Sequence, residues 1–446
     1  MSICAKFLRG LAAAILLALP AFAQPHAEPP KAFQFALQNG MQVVVLPDHA
    51  KPVVTQMLCF KVGAADDPPG LSGLARLLQH LMFRGTRAMP GDTFSDSVAR
   101  YGGQAGAFTA YDDTVYFEQI GKERLRLVMH LEADRMTGLD LTDKSVAAEV
   151  QAALAERRTH VDGDPVAVTS EQAEAALQLS HPYGRPLSGW SDELRHIDRP
   201  ALADFYQRHY APNNAILIVT GDVTADEARD AAEAEYGALG ARELSERVEY
   251  AQPPRFGETR LVIARKDAKA PMFLRLYRVP SYAEAAPGQA EALEVLAKLI
   301  GGDTGSALYR RLVVQKKLAL GVSASYGGYF RDAGELRLVA TPRPGVTLEV
   351  LERAVDEVLA DYLRRMPTKA ELAHAKAQLV AAARKANQIE LAETYARALA
   401  VGLTVFDVQQ WPARIATVSA DDVRKAARTA LVPKESVTAY LMAEGQ

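Results

Sequence analysis

Cysteine is almost absent from this chain, with two residues in 446. A small scaffold stapled by disulfides is thereby excluded. No sign of charge dominates either: 51 Lys and Arg stand against 54 Asp and Glu, a net charge of −3, and no basic block occurs. Nothing in that balance points to nucleic acid as a partner. No GxGxxG precedes a helical pattern, and GxxxxGK[ST] and GxSxG are missing. Dinucleotide and phosphate loops and the hydrolase nucleophile elbow go with them. The glycine-rich run Gly301 to Gly305 lacks the Lys-Ser/Thr pair and reads as the loop after a helix over Pro287–Ile300. The apolar run Leu11–Leu19 is too short for a bilayer span, which takes about 20 residues.

What the chain does have is length and apolar content. With 49% hydrophobic and 24% charged residues, it has the material for two or three domains, at about 100–200 residues each. Lys6 and Arg9 precede the short apolar run, Pro20 breaks it, and Ala21-Phe22-Ala23 supplies small residues before Gln24. This is the pattern of a cleavable signal peptide over residues 1–23, and it predicts a periplasmic or secreted protein with no membrane span after cleavage. Cleavage leaves 423 residues, removes Lys6 and Arg9 to give −5, and takes Cys4 with it, so that Cys59 stands alone.

The chain also repeats itself. Asp48-His49-Ala50-Lys51-Pro52 leads into the apolar stretch Val53–Val62, and Asp267-Ala268-Lys269-Ala270-Pro271 leads into Met272–Val279. Tyr210-Ala211-Pro212 precedes the strand Ala215–Thr220, and Leu431-Val432-Pro433 precedes Val437–Leu441. Both landmarks recur at an offset of about 220 residues, which predicts two sister domains rather than a solenoid. Residues 24–240 form the first and 256–446 the second, joined by a linker over 241–255 that contains Pro253-Pro254. Asn39-Gly40 predicts a tight hairpin between Phe33–Gln38 and Met41–Leu46 with both turn residues at positive φ. Helical patterns follow over Leu71–Arg84, Thr93–Tyr101, Glu123–Met136 and Asp143–Arg158, and Thr368 with Glu371 makes a capping box. Strand clusters followed by helix clusters predict an α+β class.

The chemistry concentrates on two of these helices. Arg76 and His80 are four apart and share a face with Gln79 beside them, while Glu149 and Glu156 lie seven apart on a second helix. Taken alone these are ordinary residues of solvated helix faces. Their surroundings are not ordinary. Gly73-Leu74-Ala75, His80-Leu81-Met82-Phe83-Arg84-Gly85-Thr86, Tyr101-Gly102-Gly103, Ala107-Phe108-Thr109, His181-Pro182-Tyr183-Gly184 and Tyr210-Ala211-Pro212-Asn213-Asn214 resemble the pitrilysin/insulinase family of zinc peptidases. More narrowly they resemble its bacterial, mitochondrial-processing-peptidase-like branch.

That resemblance implies two homologous domains per chain, and a homologous partner subunit, in a homo- or heterodimer, closing as a clamshell around extended peptides. It also implies an inverted H-x-x-E-H zinc motif. In it, two histidines at i and i+4 and a distant Glu hold the metal, and the internal Glu takes a proton from the metal-bound water. Here Arg76 stands at the first ligand position, Gln79 at the base position and His80 at the second ligand position. Glu156 matches the third ligand and Glu149 the supporting acid. A guanidinium has no lone pair to donate, and an amide has no basicity. No cofactor is therefore expected, and zinc only if the family activity is retained. Three readings follow: a peptide-binding pseudopeptidase, an active zinc endopeptidase working with a partner, and a structural clamshell subunit.

Charge balance adds a geometric expectation. Without a dication, Glu149 and Glu156 need a cation, and Arg76 is predicted within salt-bridge distance of one of them. The resemblance further places a peptide-binding edge strand at Gly106, Ala107, Phe108 and Thr109, with Gly106 where Asn is usual in the family. Val313 and Leu320 stand where non-zinc partner chains of the family carry a gripping Arg and Tyr. Shifting the site by 220 residues lands on Leu296, Leu299, Ile300 and Lys376, which offer no substitute metal chemistry. The remaining histidines form no second ligand-like cluster.

Overall fold

The structure, a computed structural model, describes residues 31–244 and 246–444. The expected signal peptide, residues 1–23, lies outside the described residues. Among those residues no helix is long and apolar enough to cross a membrane.

Two sheets organise an α+β chain. The first contains β1 (Phe33–Ala36), β2 (Gln42–Pro47), β3 (Val53–Phe60), β4 (Gln104–Thr109), β5 (Thr114–Gly121) and β6 (Ala215–Gly221), in the order β1-β2-β6-β3-β5-β4. The second contains β7 (Thr259–Arg265), β8 (Met272–Val279), β9 (Ala319–Gly327), β10 (Gly334–Pro342) and β11 (Ser436–Ala443), in the order β7-β11-β8-β10-β9. Each has one parallel pair, β2 with β6 and β7 with β11, followed by an antiparallel run. Apart from the extra edge strand β1 the two orders coincide. β3 and β8 begin at residues 53 and 272, and β6 and β11 at 215 and 436, offsets of 219 and 221.

Helices α1 (Leu74–Leu81), α2 (Thr93–Arg100), α3 (Leu125–Gly138), α4 (Asp143–Arg157), α5 (Pro165–Leu177), α6 (Ser191–Leu194), α7 (Arg199–His209) and α8 (Ala225–Tyr236) belong to the first half. The second half supplies α9 (Gln289–Gly301), α10 (Leu348–Arg364), α11 (Lys369–Arg384), α12 (Gln388–Ala400), α13 (Val405–Thr417) and α14 (Ala420–Ala430). In the first sheet Val43, Val45, Leu58 and Phe60 pack on one face against Leu74, Leu77, Leu78 and Leu81 of α1. The alternate residues Val44, Leu46, Met57 and Cys59 face the other way and meet Ala392, Tyr395 and Ala396 of α12, from the opposite half. The exchange is reciprocal: Ala173 and Leu177 of α5 cover Leu274 and Leu276 of β8 and Val437, Ala439 and Leu441 of β11. Strands buried on both faces carry continuous apolar runs such as Val43–Leu46, for which alternation is no guide. At about 1.5–3 kcal/mol for each large apolar side chain fully buried, parting the halves would expose both exchanged helices at heavy cost.

The β1–β2 hairpin differs from the expected tight turn. Only Gly40 has positive φ, at 87°; Gly40 N donates to Leu37 O at 3.0 Å and Leu37 N to Met41 O at 2.9 Å. This is a three-residue loop closed by a left-handed glycine. The Asn39 side chain donates instead to Tyr236 O and Leu239 O, at 2.8 and 3.1 Å, anchoring the loop to the end of α8. Helix α1 is also shorter than the periodicity predicts, because Leu71 and Ser72 lie in a turn ahead of Gly73.

Candidate functional site

Asp67 fixes the start of the site helix. Its carboxylate accepts from Gly73 N at 2.7 Å and Ala75 N at 2.8 Å, satisfying two of the free donors at the beginning of α1. Burial pushes this carboxyl up to about 7, against the pull of the two N–H donors and of Arg185. Leu74, Leu77, Leu78 and Leu81 then lock the apolar stripe of α1 into the core.

Side by side, α1 and α4 bring together four of the five helix residues singled out. Arg76 Nη2 donates to Glu156 Oε1 at 2.6 Å, within the distance expected from charge balance. Both side chains remain about one-third exposed, at 33% and 39%. One turn on, His80 Nδ1 is 3.1 Å from Glu149 Oε1. Gln79 is buried at 6% exposure.

Sequence reasoning left one partner unassigned. Arg84 donates from Nε and Nη2 to Glu149 Oε2, at 3.1 and 2.9 Å. It sits four residues beyond His80, so the same helical spacing that paired Arg76 with His80 was a signal for it. The hydrogen bond from His80, and Arg84 after it, hold the Glu149 carboxyl below its ordinary value although burial opposes them. An ionised carboxylate only accepts, so His80 Nδ1 carries the shared proton.

The donor set fits zinc poorly. A catalytic zinc takes three protein ligands. Here a guanidinium that cannot ligate already occupies Glu156, and among the described residues no group of three His, Cys, Asp or Glu converges as a metal site.

The edge-strand residues Gly106, Ala107, Phe108 and Thr109 lie on β4, which pairs with β5 and ends the sheet. Ala107 packs on the α1 side of the sheet and Phe108 on the α12 side. In the second half, Leu296, Leu299 and Ile300 are buried in α9 and Val313 is buried nearby, whereas Leu320 is exposed on β9. Lys376 on α11 donates to Ala416 O and Val418 O. His181 Nε2 lies 3.1 Å from Asp332 Oδ2, a contact between the halves.

Two family models match in succession: "Insulinase (Peptidase family M16)" over residues 42–190 and "Peptidase M16 inactive domain" over 196–379. The chain belongs to the M16 peptidase family. The zinc protease PqqE of Helicobacter pylori is 28% identical over 372 residues, 82% of each chain. The crystal structure of a protease from Helicobacter pylori aligns with a TM-score of 0.86 at 25% identity, covering 92% of this chain and 99% of that one. The periplasmic protease PqqL from Escherichia coli aligns at 0.78 and 20% identity, covering 94% of this chain but 48% of its own. This chain therefore spans about half the length of PqqL and essentially the full length of the Helicobacter protease. The match over residues 42–190 takes in both helices of the pair α1–α4.

Proposed function

We propose that this chain is a non-cleaving M16 subunit that binds extended peptides, or a homologous partner chain, in the periplasm or outside the cell. The Arg76–Glu156 ion pair carries the reading. It puts a permanent cation on the carboxylate that the family uses as third zinc ligand. Gln79, in addition, has no basicity to accept a proton from an attacking water. Peptide binding outlasts such losses, because an edge strand recognises backbone, and β4 with Gly106 to Thr109 retains its free edge. A partner subunit is supported by PqqL, whose chain is about twice the length that this one covers. The leader-like residues 1–23 and the periplasmic description of PqqL support the location.

A second reading is an active zinc endopeptidase completed by a partner, favoured by relatives that bear the name zinc protease. Zinc content and turnover of a quenched fluorogenic peptide separate the two. The purified chain is expected to hold substoichiometric zinc and to leave the peptide intact. The double variant Arg76→His with Gln79→Glu, which recreates two histidines at i and i+4 with a base between them, is expected to gain zinc. Stoichiometric zinc in the native protein, lost together with peptide cleavage in His80→Ala, would overturn the proposal.

A further inference from the structure

Resting on the reading that β4 takes an extended peptide, we infer that Phe117, lying across Gly106, makes this edge selective for apolar side chains. In the β4–β5 pair, Gln104 faces Gln119, Gly106 faces Phe117, and Phe108 faces Val115. These three rungs share the sheet face turned away from α1, the face on which Phe108, Val115 and Phe117 pack under α12. A Cβ added at Gly106 would sit 2.6 Å from Phe117 Cζ and 2.8 Å from Cε1. The ring therefore lies over the edge-strand backbone itself, in space that any other residue at 106 would claim. An aromatic ring folded over a cross-strand glycine shields that backbone and stabilises the pair. Because β4 is the outermost strand, it also brings the ring to the rim of the sheet.

The free edge of β4 presents backbone donors and acceptors to an added strand. A peptide paired there at about 4.8 Å sends alternate side chains to opposite faces. One set passes Ala105 and Ala107, toward α1 and the Arg76–Glu156 pair. The other runs beside Gly106 and Phe108 and meets the Phe117 and Phe108 rings, where aliphatic or aromatic groups lose water favourably. At the Gln104 rung, whose amide donates to Gln119 Oε1 at 3.1 Å, the same face turns polar. The ligand class is thus an extended peptide with apolar residues at alternate positions over Gly106 and Phe108.

The test compares two fluorescein-labelled, lysine-flanked peptides, one alternating Leu and Thr and the other Ser and Thr, by anisotropy with the purified chain. Hydrogen exchange on residues 104–109 locates the bound strand. The Leu peptide is expected to bind about fivefold tighter, the size of one aromatic–aliphatic cross-strand contact, and to slow exchange along β4. Phe117→Ala should abolish the difference. Phe117→Leu, which keeps an apolar cover over Gly106 if the alanine variant fails to fold, should retain most of it. Equal affinity of the native chain for the two peptides, protection away from β4, or an unchanged preference in Phe117→Ala would overturn the inference while leaving peptide binding intact. Failure of both peptides to bind would overturn the peptide-binding reading, and this inference with it.

Discussion

Helices α1 and α9 follow equivalent strands of two sheets with the same order, yet their fates are opposite. Helix α1 buries one stripe and offers Arg76 and His80 to Glu156 and Glu149 across the gap to α4. Helix α9 is buried on nearly every side, with Leu296 and Ile300 at 0% exposure where the shifted site would fall. The scaffold does not demand a polar site at this place; it accepts either a core helix or a half-solvated one. The charged cluster on α1, set against a sister helix that is core, is therefore a property of the first half alone.

Exchanging the characters of the two helices should break the comparison most sharply in the second half. Leu296→Arg puts an unpaired charge into a fully buried position and should cost about 4 kcal/mol in urea unfolding, or abolish soluble expression. A loss below about 1 kcal/mol would mean that α9 can open to water, and the contrast with α1 would fail.

Within the site, Glu149→Gln should cost about 2 kcal/mol at neutral pH, because a buried carboxylate then no longer receives charge-assisted bonds from His80 and Arg84. The pH dependence follows from the sign of the shift. A carboxyl held below its ordinary value stabilises the fold above about pH 4.3, and that contribution disappears as pH falls through the lower native value. The gap between native protein and variant should therefore close in acid. A gap that instead widens below pH 4 would sink the account of Glu149 as an ionised acceptor.

Much of this was legible from the sequence, for identifiable reasons. The repeat offset survives because strands and their Pro-bearing approaches sit at fixed places in both halves, so Val53 and Met272 open equivalent strands. The resemblance put Arg76 beside two acids, charge balance then called for a pair with Glu156 or Glu149, and the structure shows Glu156. The exchange of α5 and α12 between the sheets was hidden, because a helix covering a distant sheet carries no mark of which half it serves: Leu177 and Tyr395 read simply as apolar. Asp67 was hidden too, since its carboxylate reaches across an irregular turn to Gly73 and Ala75 rather than occupying the usual capping position.

Asp67 provides the next contrast, since among the described residues α9 begins at Gly288 with no side-chain cap. Asp67→Ala should cost about 1 kcal/mol, the usual worth of a cap. The burial that raises this carboxyl to about 7 has its own signature. Between about pH 4, where the unfolded carboxyl titrates, and about pH 7, the folded state holds a proton that the unfolded state has released. This group's contribution to stability therefore grows as pH falls from 7 and levels off near 4. Asp67→Asn should remove that slope from unfolding midpoints measured across the range, and an unchanged slope would assign it to another buried acid such as Asp113, raised to about 6.

The smallest effect on stability bears most directly on function. Arg76→Leu removes one partner of an ion pair whose two side chains are about one-third exposed. Solvent can take over Glu156, so the cost should fall between about 0 and 1 kcal/mol. The same side chain in α9, Leu296, is essential to the packing of its half, which makes the substitution a transplant from sister helix to site helix. If the guanidinium is what keeps a metal from Glu156, the leucine variant should stay folded but bind divalent zinc measurably better than the native chain, because Glu156 and His80 no longer face a fixed positive charge. Stability near that of the native protein with no gain in zinc affinity would show that Arg76 does not guard the site. Weak zinc binding would then have to be explained by the geometry of α4 rather than by charge.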